Sequence, residues 1–237
     1  MKVRIVGYTV ADPDFIKEAQ TEFLEKNPDK EDKVPQFDDI QDLIAFCARV
    51  SNPSNQMNEE TSAKLIKYLI KHAHWSPLEM VNACLEIDTT RDIAHQIVRH
   101  RSFAFQEFSQ RYANPEDMGD MFEYSEARLQ DEKNRQNSIE TDDRKLAIDW
   151  LHAQMRVAHN CKKEYDWAIK NGIAKEQARK VLPEGLTKTR LYMNGTLRSW
   201  IHYIDLRGAN GTQKEHMEIA HACAKIIAKI FPLMNEL

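Results

Sequence analysis

The densest chemistry in the chain lies between residues 99 and 112, Arg99-His100-Arg101-Ser102-Phe103-Ala104-Phe105-Gln106-Glu107-Phe108-Ser109-Gln110-Arg111-Tyr112. Arg99 and Arg101 could simply close a helix, because helix C-terminal carbonyls favour positive charge. The rest of the run asks for more. Read as an extended strand from Phe103 to Tyr112, its period of two turns Glu107, Ser109 and Arg111 to one side, beside Phe103 and Phe105. Arginine brings planar forked donors, serine an adaptable donor and acceptor, and a carboxylate an acceptor. Together they can hold a phosphate and the polar edge of a base or sugar. An ordinary solvated strand face could look similar.

Other chemistries fit less well. Ser109 has no evident partner base and there is no Gly-x-Ser-x-Gly, so a serine nucleophile is not expected. His216 and His221 are five apart, which sets the rings about 140° apart around a helix, so no metal site is expected. The net charge of −4 provides no global field for nucleic acid or an anionic membrane, so an anionic ligand must be met by a local cluster. Cys47, Cys84, Cys161 and Cys223 are scattered without a Cys-x-x-Cys, as in a reduced, cytoplasmic protein. No window reaches the roughly 18 apolar residues of a membrane helix, and Met1 to Val10 does not read as a signal peptide.

The elements that must carry these residues are mostly helical, with only 7 glycines and 8 prolines in 237 residues. Lys2 to Val10 reads as an opening strand, and Asp14 to Lys26 as a polar helix. Apolar residues three and four apart predict helices over Asp38 to Val50 and Glu59 to His72. Met80 to Asp88 alternates with the period of a half-buried strand. Thr89-Thr90 then announces a helix from Arg91 to about His100. Residues 114 to 145 read as loop and exposed helix, and Arg144 to Lys170 as a long helix. Two more helices are predicted over Leu197 to Leu206 and Gln213 to Phe231, the last opened by a Thr212/Glu215 capping box and closed by Pro232. The fold class is α+β: a helix-rich single domain over residues 1–237 with a modest, mainly antiparallel sheet.

Taken together, Arg-His-Arg, seven residues and Ser109, with Glu107 before the serine and Arg111-Tyr112 after it, resembles the signature of the flavin-dependent thymidylate synthases. His74-Trp75-Ser76-Pro77-Leu78-Glu79, Arg179-Lys180-Val181-Leu182-Pro183 and Leu206-Arg207 are similar to further segments of that family, in the same order. The resemblance implies methylation of dUMP to dTMP, with methylenetetrahydrofolate as carbon donor and FAD reduced by NADPH as hydride source. It implies a homotetramer with sites at subunit interfaces. It assigns His74, Ser76, Arg99, His100, Arg101, Glu107, Thr196, Arg198 and His202 to the flavin. It assigns Gln96, Arg99, Glu107, Ser109, Gln110, Arg111, Arg179 and Arg207 to dUMP, with Arg207 as the catalytic residue that stabilises charge on the uracil. Thr196 stands where the family commonly has Asn. Glycines are too few for a Gly-x-Gly-x-x-Gly turn, so the flavin would be held by clustered arginines.

Two alternatives compete: a flavoprotein reductase that uses NADPH without methyl transfer, and a nucleic-acid-binding protein built on residues 99–111. The net acidic charge disfavours the second.

Overall fold

The computed structural model describes residues 2–236. Strand β1 (Lys2–Tyr8) is followed by α1 (Pro13–Lys26), α2 (Ile40–Ala48) and α3 (Ser62–Lys71). Next come β2 (Asn82–Thr90), α4 (Arg91–Ile97) and β3 (Ala104–Glu107), then a hairpin of β4 (Arg128–Gln130) and β5 (Ser138–Glu140). Helices α5 (Arg144–Lys170) and α6 (Lys175–Ala178), strand β6 (Lys188–Thr196), and helices α7 (Leu197–Gly208) and α8 (Lys214–Ile227) complete the order. Helix starts follow side-chain chemistry: Asp12, Asp39 and Asp143 each accept backbone N–H groups at the first turns of α1, α2 and α5.

Four strands form one sheet in the order β1-β2-β6-β3. Backbone bonds at the strand ends set the neighbours antiparallel: Thr9 N to Asn82 O, Arg91 N to Thr187 O, Leu197 N to Val81 O and Phe108 N to Arg190 O. The chain groups into two compact units. One comprises residues 1–3, 86–193 and 206–220; the other comprises residues 4–85, 194–205 and 221–237.

In the second unit Ile44, Ile66, Leu78, Leu85, Trp200, Cys223 and Phe231 are fully buried, and Trp200 donates its indole N–H to the Ala83 carbonyl at 3.0 Å. In the first unit Ile87, Ile93, Ile97, Leu191 and Ile219 are buried, and Met121, Tyr165, Ala168 and Ala178 form a cluster under Phe122, Ile169 and Leu182. On the polar side of β2 and β6, Arg190 makes a forked pair with Asp88 at 2.6 and 2.9 Å.

The α+β, helix-rich expectation with a small antiparallel sheet holds, and α5 has the bounds expected of it. Several details differ. The Phe103–Tyr112 strand ends at Glu107, because Tyr112 N and Ala113 N turn back onto the Ser109 carbonyl. Residues 128–140 form a hairpin rather than loop and helix. Strand β6 was not expected at all. The Thr212/Glu215 capping box does not form: Thr212 donates to the Leu206 carbonyl, and Glu215 pairs with Arg128. No helix of the described residues is long and apolar enough to cross a membrane.

Candidate active site

In the first unit, α4 ends at Ile97, so Arg99-His100-Arg101 occupies the turn that leads into β3. Arg99 and Arg101 are exposed and His100 is half-buried. The side chains of Arg99, Arg101 and Arg179 have no hydrogen-bond or ion-pair partner among the described residues. Arg179 sits in the 3-10 turn Arg179–Val181. Arg111 is exposed, lies over the Tyr112 ring at 5.6 Å and reaches Glu176 at 3.5 Å. Glu107 is fixed from two sides: Arg91 Nη1 at 3.2 Å and Thr189 Oγ1 at 2.8 Å both meet its Oε1. Ser109 accepts from the Arg111 backbone N–H at 3.4 Å. Gln110 is 3% exposed, and its Nε2 is a buried donor with no partner.

A second set closes around Arg207, in the last turn of α7. Its Nε donates to His100 Nε2 at 2.8 Å. His216, fully buried in α8, stands edge-on to the His100 ring at 6.3 Å and meets the Gln96 Oε1 through Nδ1 at 3.2 Å. Gln96 Nε2 donates to Gln213 Oε1 at 2.7 Å. Burial and then the Arg207 charge hold His100 below the ordinary histidine value. Burial, with Arg207 and His100 beside it, pushes His216 down to about 4. Both rings are therefore neutral at pH 7, and His100 can accept from Arg207 only in that state. Two guanidinium nitrogens of Arg207 are left without a described partner.

In the second unit, His74 and Ser76 are exposed, with Ser76 opening the 3-10 turn Ser76–Glu79. The Trp75 and His202 rings meet at 4.4 Å with their planes tilted by 57°, and Arg198 pairs with Glu79. Thr196 serves its own helix: its Oγ1 accepts from Ser199 N at 3.2 Å and bonds Ser199 Oγ at 3.1 Å, capping α7. The first unit thus brings together Gln96, His100 and Arg207, and the second brings together His202, Arg198 and their partners.

Sequence reasoning missed Arg91, Thr189, Gln213 and His216. The partners of the last two are more than 110 residues away in sequence, and no local pattern could have exposed them. The donor set suits a flavin nucleotide and a nucleoside phosphate: unpaired arginines, a buried orphan amide and hydroxyls at turns.

The family model described as "Thymidylate synthase complementing protein" matches residues 34–233. A probable flavin-dependent thymidylate synthase of Paramecium bursaria Chlorella virus 1 is 49% identical over 192 residues, 81% of this chain and 87% of that protein. The flavin-dependent thymidylate synthase of Synechocystis is 52% identical over 190 residues, 80% of this chain and 85% of that one. The fold is similar to that of a UMP/dUMP methylase from Streptomyces cacaoi solved with 5-Br dUMP, at TM-score 0.71 and 22% identity, covering 99% of this chain and 93% of that one. With the motifs in order and the match spanning most of its length, the chain belongs to the flavin-dependent thymidylate synthases.

Proposed function

We propose that the chain, acting as one catalytic domain over residues 1–237, methylates dUMP at C5 with methylenetetrahydrofolate as carbon donor and NADPH as reductant of FAD. The observation that carries the reading is the setting of Arg207: Nε is committed to a neutral His100, and the two terminal nitrogens have no partner among the described residues.

Such a guanidinium can meet the uracil carbonyl edge and stabilise the negative charge that develops as N3 ionises. That makes C5 nucleophilic without an enzyme nucleophile. Gln96, joined to Arg207 through the two histidines, faces the same base. Ser109, Gln110, Arg111 and Arg179 hold the phosphate and sugar, and the buried Gln110 Nε2 supplies a donor already stripped of water. His74, Ser76, Arg99, His100, Arg101, Glu107, Arg198 and His202 would hold the flavin, which when bound supplies hydride chemistry. Thr196 is left to its helix cap, so its share in flavin binding is the weakest of the set.

A homotetramer with sites at subunit interfaces is part of the same reading. Helix α5 supports it: Leu146, Ile148, Trp150, Leu151, Met155, Val157 and Trp167 all stand at least 40% exposed along its 27 residues. These side chains lie on more than one side of the helix, and a neighbouring copy packed along α5 would cover them. Met155→Glu should lower the mass seen by sedimentation, and an unchanged assembly would remove α5 from the interface.

The activity is tested by tritium release from [5-³H]dUMP with methylenetetrahydrofolate, NADPH and FAD, since only substitution at C5 frees that label. Release dependent on all three supports the reading. NADPH oxidation with bound dUMP and no release would favour a reductase instead.

A further inference from the structure

A carboxylate can only accept hydrogen bonds and a guanidinium can only donate them, so a bond between the two has one possible sense. Glu107 makes such a bond. Arg91 Nη1 reaches its Oε1 at 3.2 Å, and Thr189 Oγ1 reaches the same atom at 2.8 Å. Thr189 is 1% exposed, and beside a carboxylate oxygen its hydroxyl has to donate. Two donors on one oxygen leave the other open: Glu107 Oε2 has no partner among the described residues. The side chain is 23% exposed, so a small molecule can reach it.

The backbone places both donors. Arg91 opens α4 and spends its own N–H on the Thr187 carbonyl at 3.0 Å. Thr189 follows two residues later, on the buried side of β6 with Leu191 and Met193. Phe108 N on Arg190 O, at 2.8 Å, brings the end of β3 alongside. Donors 16 and 82 residues from Glu107 in sequence thus converge on one of its oxygens. The rest of the Arg91 guanidinium is held loosely, by Glu184 at 3.5 Å and His95 at 3.5 Å, and Glu184 is half exposed. Contacts of that kind contribute little, so the Glu107 bond is the one that matters.

What Oε2 would accept follows from the rest of the site. Arg111, Arg179 and Gln110 Nε2 are donors, which suit phosphate and carbonyl oxygens but cannot take the proton of a hydroxyl. A nucleotide sugar needs an acceptor, and an open carboxylate oxygen two residues before Ser109 supplies one. We propose that Arg91 and Thr189 are positioning residues: they turn Glu107 so that Oε2 stands open as the acceptor for a sugar hydroxyl of a bound nucleotide. The inference rests on the reading above, in which Glu107 and the residues after it meet the nucleotides. That hydroxyl has two sources, the 3′-hydroxyl of dUMP and the ribityl or ribose hydroxyls of FAD.

Thr189 gives the sharpest test, because its methyl and its hydroxyl can be removed one at a time. Thr189→Val keeps the buried volume and loses the donor; Thr189→Ser keeps the donor and loses the methyl. Dissociation constants are measured for FAD and, on the FAD-loaded enzyme, for dUMP and its 3′-deoxy analogue. The proteins are wild type, these two variants, Arg91→Met, Arg91→Lys and Glu107→Ala. If the hydroxyl is that of dUMP, wild type should prefer dUMP to the analogue by about ten- to a hundredfold, one hydrogen bond to a charged acceptor. Glu107→Ala should abolish that preference, Thr189→Val and Arg91→Met should each narrow it by about fivefold or more, and Thr189→Ser should keep it. Arg91→Lys should restore part, since an ammonium keeps the charge without the fork. Turnover at saturating dUMP should change by less than about threefold, because a sugar contact is made in ground and transition state alike. If the hydroxyl is that of FAD, the analogue binds as well as dUMP and the same order of variants appears in the FAD constants. A packing role makes affinity follow the methyl, weakened in Thr189→Ser and kept in Thr189→Val, or equally weakened in both. Either pattern, or constants unchanged for both ligands in Thr189→Val and Arg91→Met, overturns the proposal. If Arg91→Met fails to fold, the two variants at 189 decide alone. Wild type that binds neither FAD nor dUMP would sink the functional reading; wild type that binds both, beside a Thr189→Val protein of unaltered constants, sinks only the positioning role.

Discussion

At the scale of single residues, Arg207 and Gln110 separate two kinds of contribution. A phosphate contact is made in ground and transition state alike, whereas contact with a uracil that gains charge strengthens during reaction. Arg207→Ala should therefore lose turnover even at saturating dUMP, and Lys at 207 should restore only part, because it keeps charge without the planar fork. Single-turnover oxidation of reduced flavin, with dUMP affinity and melting temperature on the same variants, checks this; normal chemistry in a stable Arg207→Ala protein would end the activation role. Gln110 makes the opposite case. Its Nε2 is buried without a partner, so the free protein already bears the cost of desolvating it. Gln110→Leu, of similar volume, should leave the melting temperature unchanged or raise it, while weakening dUMP about tenfold through one lost hydrogen bond. A fall in both, measured by calorimetry with and without dUMP, would mean that Gln110 only packs.

At the scale of elements, the β4–β5 hairpin is tied to the start of α8 by Arg128 on Glu215 and by Lys214 on Glu126 at 2.7 Å and Glu140 at 2.9 Å. Arg128 is only 11% exposed, so removing one partner strands the other. Arg128→Leu should cost about 2–3 kcal/mol in denaturant unfolding, less than for a fully buried pair because part of Glu215 reaches solvent. Arg128→Leu with Glu215→Leu should recover most of it, and a double variant as unstable as the single would show that the pair is not what holds the hairpin. This hairpin also shows what a sequence hides. Helices α2, α3, α5 and α7 were legible because apolar residues three and four apart are a local signal. The hairpin strands are three residues each and largely exposed, with no apolar period to read. Strand β6 did carry a period of two, with Thr189, Leu191 and Met193 buried against exposed or half-buried Arg190, Tyr192 and Asn194, but threonine and glycine on the buried side blurred it. The motif arginines could be assigned by resemblance, whereas Gln213, His216 and Arg91 act on those motifs through tertiary contacts alone.

At the scale of the whole molecule, the buried histidines tie stability to pH. His216 is held down to about 4 against an unfolded value of 6.5. A group depressed in this way contributes stability that is full above 6.5 and is lost as pH falls through the folded value, because the unfolded chain takes up the proton first. Unfolding free energy should therefore decline between pH 6.5 and about 4, by on the order of 3 kcal/mol from His216, with His100 adding in the same direction. His216→Phe should flatten that slope in urea titrations run across the range, and an unaltered slope would place the proton uptake elsewhere. Cys223, fully buried in α8, has its thiol lifted far from ionisation, while Cys47, Cys84 and Cys161 are half-buried with milder upward shifts. Alkylating reagents need both access and thiolate. Three thiols should thus be consumed at rates set by their own surroundings, and the fourth only when the helix around it opens. The protein carries its own clock: the rate at which Cys223 is alkylated, read by mass, times the opening of its core, and any bound nucleotide that slows the clock reports how far its grip extends from the site.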